Sequence, residues 1–478
     1  MAQLYTQAAK EGDFDQFLDA YPEYRSTAVL DEVRALDFAR LDEQRHVYLD
    51  YTGAGLYAAS QIQRHRDLLA ASIFGNPHSH HAPSVASTDL IDACRRRVLA
   101  FFNASPDVYT AIFTANASQA MKLVGEAYPF EAGDQLLLTF DNHNSVNGIR
   151  EFDRARGADT RYVPILPPDL VADPSTVERH LRDRVPERHN LFAYPAQSNF
   201  SGVQHPLDWI EQAQSFGWHV LLDAAAFAST NRLDLSRWQP DYVALSFYKM
   251  FGHPTGVGVL LARRDALETL RRPWFSGGTI DVASVQGDRH FMSSGPHAFE
   301  DGTLDYLNIP AVEFGLDLLE SVTMSVIHKR VRCLTAWLLD QLQSLRHPNG
   351  QRVVRLYGPV TPEGRGGTVA FNLCDADGTV IDHRSVDLRA SQQNIALRTG
   401  CFCNPGAGEV AFGLSEDELK RCFRSADDRM DRDDLMRCID AESGGAVRIS
   451  FGLVSNFSDA YSFLTFVRGF ISAGRVLS

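Results

Sequence analysis

The sequence predicts an α/β fold in which a large domain, built on a mostly parallel seven-stranded sheet, is joined to a smaller α+β domain. Three observations predict it. From about Tyr48 to Gly277, short apolar runs alternate with polar or glycine-containing turns and amphipathic stretches, the pattern of strand–helix units. After Pro310 the character changes to a long helical pattern with later strands. At 478 residues the chain is too long for one simple core and fits a large domain with a smaller one.

In chain order, the first 45 residues read as helical around Ser26–Leu41. Seven strand candidates follow at Tyr109–Thr114, Gln135–Phe140, Arg161–Pro164, Leu191–Tyr194, His219–Asp223, Asp241–Phe247 and Val257–Ala262. Each is a short apolar run bounded by turn residues, as a sheet buried on both faces requires. Residues 46–310 form the expected large domain, and its ligands should collect at the carboxyl ends of its strands. Ala311 to Leu345 reads as one long helix, and Val353–Tyr357 and Thr368–Asn372 read as strands. The smaller domain is therefore expected to combine 1–45 with 311–478. The charged segment Arg421–Cys438 reads as a solvated helix or insertion.

A hydrophobic content of 44% with 10% aromatics fills cores of this kind and excludes a disordered chain. The formal net charge of -14 argues against a nucleic-acid or anionic-membrane surface. No apolar run approaches the roughly 20 residues of a membrane helix. The acidic N-terminus lacks the apolar core of a secretory signal. A cytoplasmic protein is expected, with its seven cysteines reduced. Cys401 and Cys403 are the one close pair, and a closed zinc site needs four ligands, so no metal is expected.

The chemistry-bearing residues fall at predicted strand ends. Lys249 follows the apolar run Tyr242-Val243-Ala244-Leu245 and precedes the glycine-bearing Phe251–Gly258. A lysine at the tip of a buried strand suits covalent attachment of pyridoxal phosphate. Asp223 ends the run Trp218–Leu222, where a carboxylate can hold the cofactor's pyridine nitrogen protonated and make the ring an electron sink. Alone, each residue is as well explained by a surface lysine or a capping aspartate. Phe113–Ala120 follows a strand and opens an amphipathic stretch. A helix N-terminus there aims free N–H groups at a phosphate, and Ser118 adds a hydroxyl.

His143 lies just after the strand Gln135–Phe140, placed to stack on the cofactor ring and move protons. Gln197-Ser198-Asn199 offers amides and a hydroxyl near cofactor or substrate oxygens. Leu397–Gly406 sets Cys401 and Cys403 in a turn-rich loop beside Arg398, where positive charge favours a thiolate. Spacing does not choose between the two cysteines. Arg448 lies within a β-like run, where its planar fork can hold a substrate carboxylate; the plain alternative is a salt bridge.

These stretches, above all Ser246–Gly258, Tyr194–Gly202 and Leu397–Gly406, resemble the fold-type I pyridoxal-phosphate enzymes of the aminotransferase class V group. Within it the chain looks most like the cysteine-desulfurase domain of molybdenum cofactor sulfurases, over nearly its whole length. The resemblance implies that Lys249 binds the cofactor covalently, Asp223 pairs with its ring nitrogen and His143 stacks on the ring. It gives Ala117, Ser118 and Ser246 to the phosphate and places Asn199 near the cofactor's oxygen. It makes Arg448, with Arg398 nearby, the substrate-carboxylate site and Cys403 the persulfide carrier. It further implies a homodimer whose Thr279 reaches the partner's phosphate, and transfer of sulfur from L-cysteine with release of alanine. A β- or γ-lyase, an epimerase or an aminotransferase on the same scaffold is the alternative. Tyr248 replaces a common histidine, Asn116 a glycine, and Gly408 a cysteine of some family members. Those sulfurases carry a long C-terminal domain beyond the matched region, so the sulfur acceptor, protein or small molecule, stays open.

Overall fold

The computed structural model describes residues 2–425, 429–439 and 444–471. A short strand, β1 (Val47–Tyr48), leads into β2 (Tyr109–Thr114), β3 (Gln135–Thr139), β4 (Asp159–Val163), β5 (Asn190–Pro195), β6 (His219–Asp223), β7 (Tyr242–Ser246) and β8 (Gly258–Arg263). A hairpin of β9 (Ile280–Ser284) and β10 (Arg289–Met292) follows. The later strands are β11 (Val354–Tyr357), β12 (Thr368–Leu373), β13 (Ile395–Ala396), β14 (Arg398–Gly400) and β15 (Ala446–Ser450).

Strands β2 to β8 form one seven-stranded sheet in the order β2-β8-β7-β6-β5-β3-β4. Only β8 runs against the others. The seven expected strands are all present, each within two residues of its expected start and end. Strands β2, β3, β5 and β7 are buried at every residue, which is why they read as unbroken apolar runs rather than alternating ones. Because six strands point the same way, the turns after Thr114, Thr139, Pro195, Asp223 and Ser246 gather along one edge.

The second sheet is antiparallel, in the order β11-β12-β15-β14. Asp50 bridges to its Ser450, and β1 pairs in parallel with β13 in a separate two-stranded sheet. The N-terminal residues pack onto the C-terminal part: the Phe17 ring contacts those of Trp337 and Phe457, and Arg34 pairs with Asp459 at 2.6 Å.

The stretch around Ser26–Leu41 is helical as expected, a 3-10 turn (Pro22–Thr27) followed by two short helices, Val29–Asp37 and Arg40–Glu43. Two expectations are corrected. The long helix after Pro310 is two, Ala311–Val322 and Met324–Ser344. They are separated at Thr323, whose φ of 68° leaves the helical region. The cysteines are not all free: Cys422 and Cys438 form a disulfide between the helices Glu416–Ser425 and Arg432–Ile439, leaving Cys94, Cys333, Cys374, Cys401 and Cys403 as thiols. Packing of the two helices brings those cysteines together, a proximity that a separation of 16 residues does not announce. Within the charged segment, residues 426–428 lie outside the described residues. No described helix is long and apolar enough to cross a membrane.

Candidate active site

The sheet edge opens into a pocket of about 690 Å³ including its mouth. Ala117, Ser118, His143, Asn199, Asp223, Ser246 and Lys249 all line it. Lys249 stands in the one-and-a-half-turn helix Phe247–Phe251 that continues β7. That helix ends at Gly252, whose φ of 78° and whose closeness to Tyr57 and Leu56 leave no place for a Cβ, which would meet the Tyr57 nitrogen at 2.3 Å. Burial lowers the Lys249 ammonium below its ordinary pKa, against the pull of Asp223. A lysine so placed gives up its proton more readily than a surface lysine and becomes a usable nucleophile.

Asp223 ends β6 and is buried. Its Oδ1 accepts the Ala225 N–H at 2.9 Å. Burial pushes its carboxyl up, while Lys249 and that N–H pull it back. Across the pocket, the helix Ala117–Ala127 begins at Asn116, whose side chain accepts the Gln119 N–H at 3.0 Å. The Ala117 N–H donates to Ser246 Oγ at 2.7 Å, and the Ser118 and Ser145 hydroxyls meet at 2.5 Å. Asn116 thus acts as the helix cap. These groups form a compact cluster of donors at a helix N-terminus, an arrangement suited to a phosphate.

His143 caps the short helix Asn144–Asn147, its Nδ1 accepting the Ser145 N–H at 3.1 Å. Burial lowers its pKa to about 4, with Lys249 and Arg448 adding to the effect. The neutral ring therefore carries its hydrogen on Nε2 and can lie against an aromatic cofactor without bringing a charge.

The remaining expected residues lie outside the pocket lining. Cys403 is exposed, and it and Phe402 have φ near 55°. Three contacts dock this loop on the large sheet's edge. The Asn144 N–H donates to Cys403 O at 2.7 Å, Asn404 Nδ2 donates to Asp141 O at 2.7 Å, and Asn199 Nδ2 donates to Phe402 O at 2.7 Å. Gly406 is required here because a Cβ would meet Phe140 O at 1.9 Å. Burial lowers the pKa of both Lys249 and Arg448, and a thiolate at Cys403 would oppose that shift in each. Cys401, partly exposed, is in the same loop.

Asn199 lines the pocket, yet its side chain is committed to the cysteine loop: Oδ1 accepts from Asn404 Nδ2 at 2.9 Å while Nδ2 holds Phe402. Arg448 is buried, donates to Asn199 O at 2.9 Å and lies over the Phe402 ring. Its Nη2 reaches Asp50 Oδ1 at 3.1 Å. Arg398, opposite it in register, binds the same carboxylate through Nε and Nη2, at 2.6 Å for the shorter bond to Oδ2. Asp50 is the site residue that sequence reasoning misses: its two arginine partners lie 348 and 398 residues along the chain, and nothing next to it marks the pairing. Thr279 is fully buried in its own loop, its hydroxyl donating to Ser276 O at 2.9 Å.

Comparison with known proteins gives three findings. The family described as aminotransferase class-V matches residues 47–462. A molybdenum cofactor sulfurase of Solanum lycopersicum is 36% identical over 96% of this chain and 59% of its own length, and that of Homo sapiens 40% identical over 92% and 51%. The chain thus spans a little over half the length of these relatives. The apo structure of a cysteine desulfurase from Thermococcus onnurineus NA1 matches with a TM-score of 0.74 at 22% identity, covering 92% of this chain and 98% of that one. At that identity the likeness establishes a shared fold.

Proposed function

We propose, for a chain that belongs to the aminotransferase class V family, a pyridoxal-phosphate-dependent cysteine desulfurase that takes sulfur from L-cysteine onto Cys403 and releases alanine. The observation that carries this reading is the docking of an exposed thiol loop, through Cys403 O and Phe402 O, onto the rim of a pocket lined by Lys249 and Asp223. The cofactor fits the residues present: a lysine of lowered pKa, a buried carboxylate across from it, and a helix N-terminus with serine hydroxyls. Bound there, it supplies an electron sink that makes the Cα proton of an amino acid removable.

In this reading Asp223 would accept the hydrogen bond of the ring nitrogen, and the neutral His143 would stack on the ring. Ala117, Ser118 and Ser246 hold the phosphate. Lys249 Nζ is the covalent anchor and then moves the proton at Cα. Arg448, with Arg398 beside it, takes the substrate carboxylate in exchange for Asp50. Asn199 orients the cysteine loop. The Cys403 thiolate attacks the substrate sulfur, an S–S bond forms and the Cβ–S bond breaks. The electron pair stays with Cβ, which takes up a proton to become the alanine methyl group.

The same reading assigns 46–310 to a cofactor domain and 1–45 with 311–478 to a second one, supported by the packing of Phe17 on Trp337 and Phe457. It includes a homodimer; to serve the other copy's phosphate, Thr279, buried in its own loop with its hydroxyl donating to Ser276 O, would have to exchange that bond on dimer formation. Exposed Trp274, Val282, Val285 and Phe291, on and beside the β9–β10 hairpin near Thr279, support a partner there. A cytoplasmic setting suits a working thiol at Cys403, whereas the Cys422–Cys438 disulfide is a bond that reducing compartments disfavour. The sulfur acceptor is a protein or a small molecule. An amino-acid screen scoring alanine, pyruvate and sulfide separately tests the assignment: L-cysteine should yield alanine and bound sulfur in equal amounts. Pyruvate in place of alanine would make the chain a lyase.

A further inference from the structure

Beside the cysteine loop, Asp141 and His205 meet in the interior, with His205 Nε2 at 2.9 Å from Asp141 Oδ2 and both side chains fully buried. A carboxylate oxygen accepts, so Nε2 carries the hydrogen. The imidazole is itself held: its ring stacks on that of Trp209 with centroids 5.3 Å apart, and the His205 backbone N–H donates to Ala196 O at 3.1 Å. Asp141 Oδ1 and His205 Nδ1 have no protein partner. A buried pair with an unmatched atom on each side is weak support for stability, since apolar residues of like shape can serve as well. Its place in the fold gives it another use.

Asp141 lies in the turn after β3, and His205 closes the loop that follows β5. These two segments grip the cysteine loop. From the first, Asp141 O accepts Asn404 Nδ2 and the Asn144 N–H donates to Cys403 O; from the second, Asn199 Nδ2 donates to Phe402 O, each at 2.7 Å. The second segment is drawn closed by the Ser198 N–H on Val203 O and by the His205 N–H on Ala196 O, which sets His205 at its base and Asn199 near its tip. The Asp141–His205 bond therefore ties one grip to the other, and a shift of either moves Cys403. In chemistry that depends on approach geometry, a displacement of about 1 Å can cost on the order of 100-fold in rate.

We propose that Asp141 and His205 are positioning residues for sulfur transfer: their bond fixes the two segments that hold the cysteine loop and so sets where the Cys403 thiol meets the substrate sulfur. Neither lines the pocket, so they act through the loop. The inference rests on the reading of Cys403 as the sulfur carrier.

His205→Leu in the cofactor-loaded protein tests it. Single-turnover persulfide formation on Cys403, followed by peptide mass, should slow by at least about tenfold. The bound-cofactor absorbance should stay unchanged, as should exchange of the L-alanine Cα hydrogen for solvent deuterium, which in that reading needs Lys249 and no thiol. An equal loss of Cα exchange overturns the proposal, because the damage would then reach the whole pocket. His205→Gln, which keeps an N–H donor near the place of Nε2, should recover most of the rate; a rate as low as that of the leucine variant overturns the bond as the cause. In the apoprotein, amide hydrogen exchange over residues 399–407 should quicken in His205→Leu and not in His205→Gln, and equal exchange in both overturns the tie. Should leucine alone prevent folding, Asp141→Leu combined with His205→Leu, which strands neither member of the pair, decides by the same measurements. A parent protein that forms no persulfide on Cys403 overturns the sulfur-transfer reading and this proposal with it; a persulfide formed equally fast in parent and variant overturns the positioning role alone.

Discussion

Asn199→Ala separates loop positioning from cofactor binding, two roles that the residue's place in the pocket allows. The substitution removes a bond of 2.7 Å to Phe402 O and one of 2.9 Å from Asn404 Nδ2. Asn404 keeps its bond to Asp141 O, and Arg448 keeps the Asn199 backbone carbonyl. The loss is then two hydrogen bonds of about 1 kcal/mol net each, or about 2 kcal/mol of docking free energy. At 1.4 kcal/mol per decade this is roughly a 30-fold shift from docked to undocked loop. The assay is single-turnover persulfide formation on Cys403, followed by peptide mass, beside the bound-cofactor absorbance. Expected are a sulfur-transfer rate reduced by up to about 30-fold and an unchanged absorbance. An unchanged transfer rate would refute the docking argument, and a parallel loss of cofactor would return Asn199 to the cofactor's own contacts.

Asp223→Ala should keep the fold and lose cofactor affinity by roughly 10- to 150-fold, the loss of a charge-assisted bond of about 1.5–3 kcal/mol, read by titration of the apoprotein with pyridoxal phosphate; near-normal turnover would make Asp223 structural. For His143 the folded pKa of about 4 lies below the ordinary 6.5, so below pH 6.5 the unfolded chain takes up a proton that the folded one refuses. Its contribution therefore lowers the apoprotein's melting temperature as pH falls from about 6.5 to about 4. His143→Gln should flatten that part of the profile, and an identical profile would sink the argument. Cys403→Ser should keep the cofactor absorbance and lose the persulfide, because serine supplies no thiolate at neutral pH, whereas Cys401→Ser should retain it. Sulfur found on Cys401 would exchange the two assignments.

The large sheet was legible because its strands are buried on both faces: Tyr109–Thr114 and Tyr242–Ser246 are apolar or small throughout and end in polar turns. The sheet's direction then placed Asp223 and the Lys249 turn on one edge, which one-dimensional spacing already suggested. The break at Thr323 was not legible, because apolar residues continue on both sides of it, from Leu319 and Val322 to Ile327, and nothing local marks a threonine that leaves the helix. The Cys422–Cys438 bond depends on two helices folding back on each other, which charge-rich sequence does not reveal. Asn199 lines the pocket, but its side-chain partners lie more than 200 residues away, so the loop it holds is not visible from its own segment.

Asp50 shows the same limit where it matters most for chemistry. Its two arginines stand 348 and 398 residues along the chain, so no motif containing Asp50 names them. Once they meet, each explains the other. Arg448 is 3% exposed, and a guanidinium that deep needs a carboxylate. Asp50 provides one, and Arg398 holds Asp50 from its more exposed side. In the proposed reaction the substrate carboxylate then does not enter an empty cationic site. It replaces, or joins, a carboxylate already bound, so part of the desolvation of Arg448 is met before substrate arrives and the net gain on binding is smaller than that of an arginine kept free. Removing Asp50 would thus not simply free Arg448 for substrate, because the buried charge would lose the partner that keeps it folded and in place.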